Sequence, residues 1–198
     1  IYRRAGRPRP ICRISGVLVF GFFKRRRRRR IQQEPFPQPW LDTLASNVPL
    51  YERLPHEARV RLKGHIQVFL HEKTFEGCGG LTMTDEIRVT IAAHACILLL
   101  NKEISHYDSL STILVYPSTF RSKAREVLPG GIVVEREASR LGESWTGGNV
   151  VLAWDAVRRG CVNLHDGDNV VFHEFAHQLD QEDGAADGAP ILANYASY

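Results

Sequence analysis

Apolar positions recur at helical spacing from Pro55 to Lys73, where Val60, Leu62, Ile66, Phe69 and Leu70 predict one face of an amphipathic helix and Pro55 suits its first turn. Phe75 to Gly80 then reads as a turn. A second helix is predicted from Thr84, whose hydroxyl can cap it, with Asp85 and Glu86 where the helix dipole favours acids. Ile87, Ile91, Ala92, Ala95, Leu98 and Leu99 give this helix a broad apolar face to about Asn101. A face that broad places the helix at the centre of the core.

The period changes in the middle of the chain. Thr112 to Tyr116 reads as a strand stopped by Pro117, Ile132 to Glu135 as another, and Asn149 to Trp154 as a third, rich in β-branched and aromatic residues. A last helix is expected from near Asp168 through Asp180, with a break at Gly184. Its core side is assigned to Val171, Phe172, Phe175, Ala176 and Leu179, which leaves His173, His177 and Asp180 on a common stripe. Helices, then strands, then a helix indicate an α+β domain with a small mixed sheet rather than an alternating βαβ sheet.

Composition adds limits. The 198 residues are 43% apolar and 24% charged, which excludes a disordered chain, a collagen-like repeat and a multi-span membrane protein. Cys12, Cys78, Cys96 and Cys161 form no C-x-x-C pair, so neither a disulfide framework nor a four-cysteine zinc site is expected, and a reducing cytoplasm is the default.

Charge divides the chain in two. Residues 1–30 hold 12 of the 26 Lys and Arg and no acid, whereas residues 31–198 hold 14 basic and 22 acidic residues, a net of −8. The net charge of +4 therefore belongs to an arm and does not mark a nucleic-acid-binding domain. Ile14 to Phe23 is an apolar run, too short for a bilayer span of ~20 residues, and arginines stand where a signal peptide would be cleaved. Arg25 to Arg30 reads as a solvated run in preference to a contact with anionic lipid or nucleic acid. Three prolines in Pro35-Phe36-Pro37-Gln38-Pro39 mark the boundary, giving an unstructured arm over residues 1–34 and a domain over residues 35–198.

The chemistry lies in His173-Glu174-Phe175-Ala176-His177, an H-E-x-x-H sequence. Two histidines four apart project from one helix face and can bind one zinc at ~2.0–2.1 Å. Glu174 between them is placed to take a proton from the activated water and return it to a leaving amine. Catalytic zinc needs a third protein ligand. Asp180 lies ~10 Å along the axis from His173 and is read as orienting a histidine ring or holding the helix. Glu182, Asp183 and Asp187, near the break at Gly184, are weaker ligand candidates. The other histidines, His56, His65, His71, His94, His106 and His165, show no paired spacing and read as structural or exposed.

Asp166-Gly167-Asp168-Asn169-Val170-Val171-Phe172, the H-E-x-x-H sequence, Gln178-Leu179-Asp180 and Asp183-Gly184 together resemble the MtfA family of zinc metallopeptidases, the glucose-regulated metallopeptidases. Phe75-Glu76-Gly77-Cys78, Leu81 to Glu86, Tyr116-Pro117, Leu141 to Trp145 and Gly148 to Asp155 are similar to further blocks of that family, so the resemblance covers about residues 36–198. It implies a cytoplasmic bacterial, aminopeptidase-like zinc enzyme acting on peptides. The implied fold is zincin-like, related to the catalytic domain of anthrax lethal factor. His173 and His177 match the family's zinc ligands and Glu174 its catalytic base. The family's third ligand, a glutamate on a later helix, has no matching position before Tyr198, so a C-terminally truncated domain is expected. The resemblance also implies a possible partner, since a family member binds the glucose repressor Mlc. A regulatory protein that sequesters a transcriptional repressor is thus the alternative reading.

Overall fold

The computed structural model describes residues 16–102, 104–118, 120–128, 132–140, 142–145, 148–162 and 169–181. Helix α1 (Gly16–Gln32) is followed after a proline-rich bend by α2 (Gln38–Asn47), the short α3 (Pro49–Arg53) and α4 (His56–Glu72). Pro39 and Pro49 fall in the first turns of α2 and α3, where a missing N–H costs nothing. In α4, Leu62, Ile66, Phe69 and Leu70 are buried as expected, but Val60 faces solvent.

The expected arm differs from the structure over residues 16–32, which form α1. Composition treats the six arginines as equivalent, yet Arg28 finds two acids across the fold. Its guanidinium donates to both carboxylate oxygens of Glu72, at 2.9 and 2.6 Å, and to Asp108 at 2.5 Å. Lys24 pairs with Asp108 at 2.8 Å, and Ile31 packs into the core. Burial alone would lower the pKa of Arg28, but the bonds to Glu72 and Asp108 outweigh it and hold the group charged.

Helix α5 (Asp85–Ile97) runs through the centre, capped by Thr84, whose hydroxyl accepts from the Ile87 N–H at 3.3 Å. Ala92, Ala93 and Ala95 are fully buried, and such small residues let α2, α4 and α7 (Val170–Gln181) approach closely. Asn47 of α2 donates to Thr90 at 2.9 Å, and Trp40 donates to Asp85 at 3.1 Å. The helix ends before Asn101 because the Leu99, Leu100 and Lys102 N–H groups bond three residues back and tighten the chain into turns.

The region read as a turn from Phe75 begins as a strand, β1 (Thr74–Gly77), and turns only at Gly79-Gly80, both with positive φ. Its partner, β2 (Thr112–Tyr116), lies far along the sequence and pairs with it in parallel, Thr74 opposite Thr112. Strands β1 and β2 with α5 between them therefore make a parallel crossover, which the coarse order of elements does not reveal. A hairpin of β3 (Phe120–Leu128) and β4 (Ile132–Arg140) follows, the latter longer than expected. Next come β5 (Gly142–Trp145), β6 (Asn149–Ala153) and α6 (Trp154–Val162), a helix with no counterpart in the sequence pattern. The main sheet is mixed, in the order β1-β2-β6-β5, with only β5 antiparallel. Mixed helices with a small mixed sheet agree with the α+β class.

Gly148 makes the entry to β6 possible. Its φ is +76°, and a Cβ there would stand 2.4 Å from the Ser109 carbonyl oxygen. Its own carbonyl accepts the Ser111 N–H at 2.7 Å and so fixes the start of β2 against β6. Among the described residues, no helix is long and apolar enough to cross a membrane.

Candidate functional site

Helix α7 starts at Val170, two residues later than the pattern suggests. Asn169 caps it, its side-chain oxygen accepting the N–H groups of Val171 and Phe172, both at 3.1 Å. The Asn169 amide also donates to the Gly160 carbonyl at 3.3 Å and so ties the start of α7 to α6. An asparagine just before an apolar-periodic run is the sequence signal for this cap.

Phe175 sets the rotation of α7. Fully buried, it packs on Tyr107 at 5.3 Å and on Phe69 at 5.8 Å between ring centroids. Tyr107 is itself held by donating its hydroxyl to the Ala95 carbonyl at 2.9 Å. With Phe175 inward, the buried arc comprises Val170, Val171, Glu174, Phe175 and Gln178. That arc is turned roughly 100° from the expected one, about one residue's step. Ala176, assigned to the core side, is exposed, and Phe172 and Leu179 are only partly buried. The expectation failed because Glu174 and Gln178 count as polar in any pattern, yet they lie mid-arc and are 6% and 5% exposed. Both have interaction partners, as does the buried Asp180.

His173 and His177 both face solvent, with ring centroids 4.6 Å apart and rings edge-on. Their Nε2 atoms are 3.2 Å apart. Two nitrogens bound to one tetrahedral zinc at ~2.0–2.1 Å stand about 3.3–3.4 Å apart. The observed separation fits that bite, and it also fits a hydrogen bond in which one ring donates to the other. The pair thus has the donor set and spacing for zinc. Among the described residues no third His, Cys, Asp or Glu joins the two to make a metal-binding group. Asp180 shares the histidines' stripe but is buried, where they are exposed. Glu182, Asp183, Asp187 and His165 lie outside the described residues.

The other described histidines stay apart from the pair. His94 is buried in α5, hydrogen-bonded through Nδ1 to the Thr90 carbonyl at 2.9 Å, with its ring 5.3 Å from that of Phe172. Burial lowers its pKa against the opposing effect of that carbonyl, so a neutral ring supports α7 from below.

Strand β6, predicted as Asn149 to Trp154, is paired on both sides, by β2 and β5, and so has no free edge for an extended peptide. Strand β5 is the edge on that side of the sheet, and it packs against α7. Its neighbourhood could not be read from sequence, because a four-residue strand carries almost no periodic signal.

Comparison with known proteins places these features in a family. The family model described as glucose-regulated metallo-peptidase M90 matches residues 22–198. An uncharacterized protein of Synechocystis sp. is 41% identical over 173 residues, covering 87% of this chain and 63% of its own length. Mlc titration factor A of Escherichia fergusonii is 30% identical over 155 residues, and that of Salmonella schwarzengrund 28% identical over 160. Each covers 78% of this chain, which spans 57% of their length. The chain thus spans about three fifths of these relatives, and it belongs to the M90 family of glucose-regulated metallopeptidases, the MtfA family.

Proposed function

We propose that this chain carries the metal-binding helix of a zincin-like, zinc-dependent peptidase that acts in the cytoplasm on short peptides or exposed termini, in the manner of an aminopeptidase. The observation that carries the reading is the 3.2 Å separation of the His173 and His177 Nε2 atoms on the open face of α7. Both rings would hold zinc through Nε2, each with its proton on Nδ1. A zinc ion bound there supplies Lewis acidity toward the scissile carbonyl and toward water. Glu174, one residue round the helix, accepts the proton of the attacking water and delivers it to the departing amine. Its burial keeps bulk water from competing for that proton. Edge strand β5 beside α7 supports an extended peptide as substrate, since a peptide can add to a sheet edge by main-chain hydrogen bonds. The third zinc ligand is to be sought outside the described residues, where Glu182, Asp183 and Asp187 also fall. Free thiols at Cys78, Cys96 and Cys161 accord with a reducing compartment.

The test uses protein extended to the length of its relatives, assayed for zinc by elemental analysis and for hydrolysis of short peptides. Glu174→Gln is expected to retain about one zinc per chain and to lose at least a hundredfold in turnover. Unchanged turnover in that variant would discard Glu174 as the base. His177→Ala is expected to lose both zinc and activity.

The names of the Escherichia and Salmonella relatives favour one second reading, a regulatory protein that binds and sequesters a transcriptional repressor. Co-purification of an intact repressor, undiminished in Glu174→Gln, would support it, and cleavage of peptides with no stable partner would count against it.

A further inference from the structure

Helix α1 is held to the body by one narrow face. Arg28 and Ile31 are 8% and 3% exposed, while Arg25, Arg26, Arg27, Arg29 and Arg30 all face solvent. At about 100° per residue, the side opposite Arg28 and Ile31 carries Phe22, Phe23, Arg26, Arg29 and Arg30, with Arg25 and Arg27 at its margins. Phe22 is 63% exposed and Phe23 61%, their rings edge-on at 6.0 Å. These two exposed aromatic side chains are adjacent on an α-helix that carries no acid. The Arg28 bridge to Glu72 and Asp108 makes the helix a fixed platform, so its outer face has a defined direction.

We infer that the outer face of α1 is a docking surface for an anionic lipid bilayer. Five arginines meet the phosphates of acidic headgroups while Phe22 and Phe23 enter the boundary between headgroups and acyl chains. Two weak signals of different kinds, basic and apolar, give stable attachment where either alone is marginal. Nucleic acid would be met by the arginines but gives no account of the two phenylalanines. Apolar residues Val17 to Phe20 precede them in the sequence of the same helix. The rest of the chain, residues 31–198, carries a net charge of −8. An anionic surface repels that body and attracts α1, so the protein is oriented with the helix toward the membrane.

The 198-residue protein is tested for flotation with vesicles of phosphatidylethanolamine and phosphatidylglycerol, with pure phosphatidylcholine vesicles and a duplex DNA as comparisons. Binding to the anionic vesicles is expected, weakening steeply with salt, with none to phosphatidylcholine. Replacing Arg25, Arg26, Arg29 and Arg30 together by Gln lowers vesicle binding at least a hundredfold, since each surface arginine contributes about fivefold. The double variant Phe22→Ser, Phe23→Ser lowers vesicle binding about tenfold or more and leaves binding to DNA unchanged. All six side chains are exposed, so both variants keep the parent melting temperature. Absence of binding to anionic vesicles, vesicle binding unaffected by the phenylalanine pair, or tighter binding to DNA than to vesicles would each overturn the inference. So would charge-driven association between copies of the chain that the arginine variant abolishes and that excludes vesicles.

Discussion

The ring of Phe175 meets the ring of Tyr107 edge-on, 5.3 Å between centroids, and this contact joins the middle of the H-E-x-x-H sequence to the hydrophobic core. Phe175 lies between the two histidines in sequence but points away from them. Burying it turns both imidazoles outward and draws Glu174 inward.

Phe175→Ala is therefore expected to destabilise the fold by about 3–5 kcal/mol, the usual cost of removing a fully buried phenylalanine. Urea denaturation measures the loss. Phe175→Leu keeps most of the volume and is expected to cost less than half as much, while Ala176→Ser, at an exposed position on the same helix, costs under about 0.5 kcal/mol. Equal losses in the Phe175 and Ala176 variants would show that the rotation assigned to α7 is wrong.

Asn169→Ala removes the cap of α7 and its tie to α6 together. The expected cost is about 1–2 kcal/mol. Asn169→Asp keeps the acceptor for the Val171 and Phe172 N–H groups but loses the donor to Gly160, and is expected to recover most of the stability. Thermal melting of the two variants side by side separates cap from tie.

The bridge from Arg28 to Glu72 and Asp108 makes stability depend on pH. Burial pushes both carboxyls up, but hydrogen bonds from Arg28 to Glu72, and from Lys24 and Arg28 to Asp108, prevail and hold them below their ordinary values of 4.5 and 3.8. A carboxylate depressed in the folded state stabilises it above the unfolded pKa, and that share is lost as pH falls through the folded pKa. The parent protein is thus expected to weaken below about pH 4.5, and Arg28→Gln to flatten this acid limb. At neutral pH the variant costs about 2–3 kcal/mol, less than a fully buried pair because Asp108 is partly wet. Arg29→Gln, one residue on and exposed, serves as the control with no change. Chemical denaturation at neutral and acid pH reads both effects.

Gly148→Ala is expected to be among the costly single substitutions. The added Cβ meets the Ser109 carbonyl at 2.4 Å, and the backbone is in the left-handed region. Backbone strain alone costs about 1–3 kcal/mol, and the close contact adds to it. Gly21→Ala, where a Cβ meets nothing within 4 Å, is expected to be neutral or slightly stabilising. A melting-temperature comparison of the two variants checks the assignment.

Local pattern alone carries part of this structure. Thr84 with Asp85 and Glu86 announces the start of α5, because a cap and its first turn are neighbours in sequence. Helical periodicity likewise sets His173 and His177 on one face, because an i, i+4 pair owes its geometry to the helix itself. Thr112 to Tyr116 shows its strand through β-branched residues and the proline that ends it. Other features depend on partners distant in the chain. Strand β1 exists because Thr112 to Val115 lies beside it, and nothing in Thr74-Phe75-Glu76-Gly77 says so. Arg28 cannot be told from its five neighbours until Glu72 and Asp108 are brought to it. The sequence by itself determined that α7 would carry two histidines one turn apart. Only the tertiary structure decided which arc of α7 is buried, because the pocket for Phe175 is built from Phe69 and Tyr107, on other elements of the fold.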